Sequence, residues 1–382
     1  MELTGIKDIP WQNFRHAYGS AEDIPVLLDK MANSDNEGSE EASRELFEKI
    51  CHQDIIEEVA VEVIEPVINI LMLDREHICK WHPVNGLLNL LRCAGLNSDT
   101  IGFTPFKRMF KGRFTGKQLQ EGEKRIVAIN AGIRHRLNSR LQDLAALTAN
   151  ITETRARCQL LNLCAIVNPH SGEVYQMLTS LLSTAREEAV IANGLVALAV
   201  MEGQQQEKEI RLATSQHKLV NIARSLLLYR KQYGGMSAAD WQHLEEACFM
   251  ERQDYELFPW CDGAVAGLCA EMVRKSPNED EALRFLKAML EKHTVNSAGA
   301  TAIDEMGPEA QEEYMYWGWT SPMLIANQLL ALVFKQLEGA MEQVPLTALT
   351  PVQTATLAFL RQKDIELPNL AWYGLKAAFE KL

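Results

Sequence analysis

Between Ile55 and Leu73 the apolar residues recur at intervals of three and four. Ile56, Val59, Ala60, Val63, Ile64, Val67 and Leu71 therefore line one stripe of an α-helix, while Glu57, Glu58, Glu62 and Glu65 take the opposite face. A strand would need strict alternation, which is missing here. Pro66 removes a backbone N–H from the middle of the pattern and predicts a helix that is kinked or divided into a pair. The same spacing returns in Ala42 to Cys51, Pro83 to Ala94, Glu123 to Leu147, Glu153 to Val167, Val174 to Leu182, Ala185 to Met201, Leu219 to Tyr233, Ala238 to Met250, Pro259 to Val273, Asp280 to His293, Ser321 to Leu337, Pro351 to Arg361 and Asn369 to Leu382. Asn, Pro, Gly and Ser punctuate these stretches in NPHSG, YGGMS, KSPNED and TSP, where one helix is capped and the next begins. Ser276 and Pro277 ahead of Glu279 to Glu281 read as a helix start with acids at the positive end of the dipole.

Short helices joined by brief turns, two per unit, predict an all-α fold, an α-solenoid of stacked antiparallel helix pairs in which each pair buries its stripe against its neighbours. The expected organisation is N-terminal helical repeats over 1–103, a basic aromatic inserted loop over 104–121, central helical repeats over 122–293, and C-terminal helices with a cap over 294–382. With 382 residues, 47% apolar and 23% charged, the chain has the composition of a folded soluble protein, so its acidic stretches are solvated faces. No apolar run approaches the roughly 18 residues of a membrane span. The opening MELTGIKDIPW lacks a basic segment leading into an apolar one, so a cytoplasmic protein is expected. Eight cysteines contain no CxxC pair, and Cys158, Cys164, Cys248 and Cys269 on apolar helical faces read as buried, reduced thiols. A net charge of −13 opposes non-specific affinity for nucleic acid and suits a basic protein partner.

The run DIPWQNFRHAYGSAEDIPVLLDKM from Asp8, followed by FEKICHQD and VAVEVIEPVINILM, resembles the opening of bacterial HEAT-like repeat proteins. The passage IVAINAGIRHRLNSRLQDLAALTANITETRARCQLLNLCAIV, from Ile126 to Val167, resembles them too. The resemblance covers the first half of the chain, and EEYMYWGW in the second half has no counterpart in it. It implies a HEAT-like α-solenoid that binds other macromolecules, of the kind found beside polymorphic-toxin modules as immunity proteins or scaffolds. HEAT-like di-iron hydroxylases hold metal through His-Glu dipeptides, and none of the nine histidines here precedes a Glu.

The residues offer little for catalysis. His77, Cys79 and His82, with Cys51 and His52 a helix earlier, are zinc-compatible side chains, but their spacing is irregular and reads as loop histidines beside core cysteines. No GxSxG elbow, GxGxxG or GxxxxGK[ST] loop is present. No catalytic residue, metal or cofactor is therefore expected. Two surfaces remain. Lys107, Arg108, Lys111, Arg113, Lys117, Lys124, Arg125, Arg134, Arg136 and Arg140, interleaved at their start with Phe103, Phe106, Phe110 and Phe114, could grip a nucleic acid or an acidic protein. The bland alternative is a loop that anchors its rings in the core while its charges pair with neighbouring acids. In the second surface, Glu309, Glu312, Glu313, Tyr314, Tyr316, Trp317 and Trp319 mix rigid aromatics with charge as interface hot spots do, and Asp254, Tyr255 and Glu256, ahead of Phe258 and Trp260, do so more weakly. These readings predict a non-enzymatic protein-binding repeat protein, as a monomer or otherwise, that clasps and blocks a basic protein such as a toxin domain. A HEAT-like DNA-binding or base-repair protein working through 107–140 is the alternative, and no membrane partner is expected.

Overall fold

The computed structural model describes residues 5–52, 55–73, 78–93, 116–201, 206–213, 215–231, 236–250, 257–258, 265–275, 278–293, 321–337, 343–363 and 373–382, together with 75, 365, 367 and 370. Among them the protein is all-α, with seventeen helices and two small antiparallel hairpins of two-residue strands. The chain forms two compact units, one of Met1–Arg224 with Asp254–Asp262, the other of Ser225–Gln253 with Gly263–Leu382.

The first unit holds hairpin β1 (Arg15–His16) with β2 (Gly19–Ser20), helices α1 (Ile24–Asn33) and α2 (Asn36–Ile50), hairpin β3 (Cys51–His52) with β4 (Ile55–Ile56), and α3 (Val59–Leu71) and α4 (Trp81–Cys93). There follow α5 (Gly116–Ser139), α6 (Leu141–Asn150), α7 (Thr154–Val167), α8 (Gly172–Thr184), α9 (Glu188–Val200), α10 (Gln206–Leu212) and the start of α11 (Lys218–Arg230). Helix starts are built from their own side chains. Asp35 accepts the Gly38 N–H at the head of α2, and Ser171, from the NPHSG breaker, accepts that of Val174 at the head of α8.

Two rows of helices organise this unit. α2, α4, α7 and α9 pack side by side in that order, and α3 packs on α5. Three glutamates tie successive helix starts together. Glu153, just before α7, accepts the backbone N–H groups of Lys80 and Trp81 at the head of α4. The Thr154 hydroxyl donates to Glu187 Oε2 at 2.6 Å, just before α9, and the Leu219 N–H in the first turn of α11 donates to Glu188 Oε1 at 2.7 Å. Helices α4, α7, α9 and α11 thus begin beside one another with a carboxylate at each positive dipole end, and α4, α7 and α9, which pack side by side, run the same way. Because α7 and α9 have neighbours on both sides, they are apolar nearly all round, with Cys158 to Val167 and Ala192 to Ala199 buried without interruption. Inside this core Asn162 Nδ2 donates to Asn193 Oδ1 at 2.9 Å, and Asn193 Nδ2 donates to the Leu257 carbonyl at 2.7 Å, so the buried amides are bonded to each other and to main chain. α2 and α4 approach so closely that a side chain at Gly86 would meet the Phe47 ring at 2.3 Å.

The second unit holds the end of α11, α12 (Ala238–Ala247), α13 (Val265–Arg274), α14 (Glu279–Lys292), α15 (Ser321–Val333), α16 (Pro351–Gln362) and α17 (Lys376–Glu380). α15 packs on both α13 and α14 and touches α16. Capping boxes start α12, through Ser237 and Asp240, and α16, through Thr350 and Gln353, and the Asn278 side chain caps α14 ahead of Glu279, Asp280 and Glu281.

The helical periodicity holds, with four departures. Of the two outcomes expected at Pro66, division into a pair does not occur, since Pro66 lies inside one helix: Val63, Ile64, Val67 and Ile68 around it are wholly buried, and each such side chain is worth about 1.5–3 kcal/mol, enough together to outweigh the roughly 3 kcal/mol that proline costs. The stretch expected as one helix over Glu123 to Leu147 is broken at Arg140, whose backbone leaves the helical region so that its side chain can meet α3. α5 already begins at Gly116, which makes residues 116–121 helical and not part of a loop. Near the C-terminus, where a helix is expected over Asn369 to Leu382, α17 covers Lys376–Glu380 among the described residues. The buried-thiol reading holds: Cys158, Cys164, Cys248 and Cys269 have no exposed surface and are unpaired by disulfides.

Candidate functional site

The outer face of α2 carries a continuous acidic surface. Its inner face, with Ala42, Ser43, Leu46, Phe47 and Ile50, is buried. Glu37, Glu41, Glu45 and Glu48 follow at steps of four, four and three and share the opposite face with Arg44, all of them exposed. The four carboxylates span about 16 Å of helix. Glu37 and Glu41 have no cationic partner among the described residues, whereas Arg44 turns back to Glu40 at 3.7 Å.

The β1–β2 hairpin closes one end of this ridge. The Ala17 N–H donates to the Lys49 carbonyl at 2.9 Å, which docks the hairpin on the last turn of α2. Tyr18, 56% exposed, then donates its hydroxyl to Glu48 Oε1 at 2.9 Å, and His52 Nδ1 lies 2.9 Å from the Tyr18 hydroxyl oxygen. One hydroxyl hydrogen cannot serve both, so His52 donates through Nδ1. Desolvation, then the bond and charge of Glu48, raise the Tyr18 pKa, which keeps the phenol neutral. Behind it Lys49 bridges Asp23 at 2.6 Å and Glu45 at 2.7 Å. Burial works to raise Asp23, but the bonds from Lys49 and His16 overcome it and hold its carboxyl below the usual range; the same bonds to Asp23 and Glu45 raise Lys49. His16 accepts the Tyr18 N–H at Nδ1 and therefore donates Nε2–H to Asp23 at 3.0 Å. With both ring nitrogens committed, His16 is a strut for the hairpin.

The basic residues of α5 behave differently. Arg125 reaches Glu57 at 2.9 Å and Glu58 at 3.0 Å, Arg136 reaches Glu62 at 3.4 Å, and Arg140 reaches Glu65 at 2.7 Å, Asn69 at 2.8 Å and Asp143 at 2.6 Å. The pairs follow the same order along both helices, so α3 and α5 run in the same direction. Arg134 is half-buried on α5. Within this stretch the arrangement is the one in which charges pair with neighbouring acids. Lys107, Arg108, Lys111, Arg113 and the four phenylalanines lie outside the described residues, as does the Lys117 side chain. So do Glu309, Glu312, Glu313, Tyr314, Tyr316, Trp317 and Trp319, and Asp254, Tyr255, Glu256 and Trp260; Phe258 is described and buried.

Two clusters have the residue types of a nucleophile and base. Ser43 Oγ lies 3.1 Å from His82 Nδ1, but Ser43 is wholly buried, and burial pushes the His82 pKa down to about 4. Ser225 Oγ donates to Asp240 Oδ1 at 3.1 Å and faces His243 Nδ1 at 3.2 Å. The hydroxyl hydrogen is committed to Asp240, and both Ser225 and Asp240 are buried, so this cluster ties α11 to α12. Cys79 is buried, its thiol pushed up to about 12 by burial, far from a metal-binding thiolate. Among the described residues no three His, Cys, Asp or Glu side chains could hold a metal ion, and His77 lies outside them. No helix among the described residues is long and apolar enough to cross a membrane.

The α2 ridge and the Ser225 cluster were not singled out in the sequence. The ridge had a usable signal in the acids at 37, 41, 45 and 48; the Ser225 cluster, joining residues on two helices, had none. No protein-family model, curated protein or solved structure matches the chain.

Proposed function

We propose that the protein is a non-enzymatic helical-repeat protein of the α-solenoid type that binds a basic protein through the outer face of α2. The observation that carries this reading is the row of exposed carboxylates Glu37, Glu41, Glu45 and Glu48 ending at the exposed ring of Tyr18. Carboxylates spaced along one helix face suit a run of Lys and Arg side chains, and an exposed tyrosine offers a rigid, amphipathic surface on which a guanidinium can stack. The net charge of −13 would speed the encounter. The parallel row α4, α7 and α9 supports the solenoid, since like helices of successive pairs run the same way in such arrays. The HEAT-like resemblance points to an immunity protein acting in the cytoplasm on a basic toxin domain. Nucleic-acid binding through α5 is disfavoured because Arg125, Arg136 and Arg140 already face α3 carboxylates.

A labelled peptide alternating Arg and Lys tests the reading. Fluorescence anisotropy should report saturable binding at about 20 mM salt that weakens at least tenfold by about 200 mM, as expected of contacts screened by added ions. No binding at low salt would overturn it, and tighter binding of duplex DNA than of the peptide would replace it with the nucleic-acid reading.

A further inference from the structure

The C-terminal end of α12 is tied down from three directions. The Cys248 carbonyl accepts from His293 Nε2 at 3.0 Å, the Met250 carbonyl accepts from Ser321 Oγ at 2.7 Å, and the Phe249 ring lies 4.3 Å from the His293 ring. On the inner side the Cys248 S–H points at Cys269 Sγ on α13 at 3.8 Å, and the Cys269 S–H points at the Leu244 carbonyl, one turn back on α12, at 3.4 Å. Both sulfurs are fully buried. They are in contact, on two helices that pack directly on one another, so closure to a bond of about 2.05 Å needs a shift shared between two helix ends and no refolding.

We propose that Cys248 and Cys269 form a dithiol that a peroxide closes to a disulfide, locking α12 to α13 and stiffening the second unit. Cys248 is the sulfur that reacts with peroxide first, because it follows the last residue of α12 and its neighbour Phe249 is exposed, so a local opening that releases the His293 and Ser321 bonds uncovers it before Cys269. Its thiolate displaces hydroxide from hydrogen peroxide, which takes up the thiol proton to leave as water, and Cys248 becomes a sulfenic acid. Cys269 then attacks the Cys248 sulfur and expels a second water: two thiols and one peroxide give one disulfide and two waters. A small dithiol such as dithiothreitol reverses the step by thiol–disulfide exchange. The bond with Cys248, and then burial, keep the Cys269 thiol protonated, so closure is slow until the helix end opens.

The test uses the wild-type protein, treated with hydrogen peroxide, quenched, unfolded and alkylated. The expected result is loss of two alkylatable thiols per chain, a peptide pair joining Cys248 to Cys269, and a thermal midpoint raised by about 5 °C or more that falls back with dithiothreitol. Cys158 and Cys164, equally buried on α7, stay alkylatable and serve as internal controls. Cys248 and Cys269 both remaining alkylatable, either one joined to another cysteine, or a disulfide that leaves the midpoint unmoved would overturn the proposal.

Discussion

α2 and α3 are both acidic helices of the first unit, and they use their carboxylates in opposite ways. On α3 and the residue pair before it, Glu57, Glu58, Glu62 and Glu65 all meet arginines that lie more than sixty residues further along the chain. On α2, Glu37 and Glu41 face solvent, Glu45 shares Lys49, and Glu48 holds a tyrosine. Similar sequence patterns thus end differently: the α3 charges bind a neighbouring helix into its row, while Glu37 and Glu41 on α2 have no cationic partner among the described residues, the basis of the partner surface proposed above. An acidic face is informative only once its surroundings are known, because a charge already paired and partly desolvated has little left to offer a partner.

The contrast can be pressed first on the buried side of α2. His82 there is held neutral against Ser43, with a folded pKa of about 4 against 6.5 when exposed. The unfolded chain takes up the proton first, so stability is full above pH 6.5 and falls as the pH drops toward 4, by about 3 kcal/mol. Urea unfolding at pH 7 and pH 4.5 should reveal most of this loss, and His82→Gln should flatten that part of the profile. Next comes the seam of α3 and α5, where Arg140→Ala removes the partner of Glu65, Asn69 and Asp143 and should cost about 2 kcal/mol in the same assay. Smaller still, Glu188→Ala takes away the acceptor of the Leu219 N–H at the head of α11 and should cost about 1 kcal/mol. Smallest in stability is Tyr18→Ala on the ridge, which should leave the unfolding midpoint within about 0.5 kcal/mol while weakening the basic peptide several-fold. A Tyr18 variant that unfolds as readily as the Arg140 variant would erase the distinction between the two faces.

Much of this was legible before any coordinates. The stripe from Ile56 to Leu71 gave α3, the Ser171, Ser237 and Asn278 caps follow from local composition, and the apolar setting of Cys158, Cys164, Cys248 and Cys269 foretold their burial. What escaped depended on partners distant in sequence. Arg140 sits in an uninterrupted helical pattern, and the partners it meets where the helix breaks, Glu65 and Asn69, lie 75 and 71 residues back along the chain. Pro66 reads locally as a kink or a divider, and burial on both sides carries one helix through it without division. Periodicity reports that a polar face exists; it does not say whether another helix covers that face, and so Arg136 and Arg140 looked available while the row on α2 passed unremarked.

The most direct measurement is a paired charge reversal read by both peptide binding and unfolding. Glu37→Lys, Glu41→Lys and Glu48→Lys together should change stability by less than about 1 kcal/mol and weaken the Arg/Lys peptide at least tenfold, whereas Glu62→Lys with Glu65→Lys should lower stability by more than about 2 kcal/mol and leave the peptide affinity of the folded fraction unchanged. Equal peptide affinity for the α2 variant and the wild type would contradict the account.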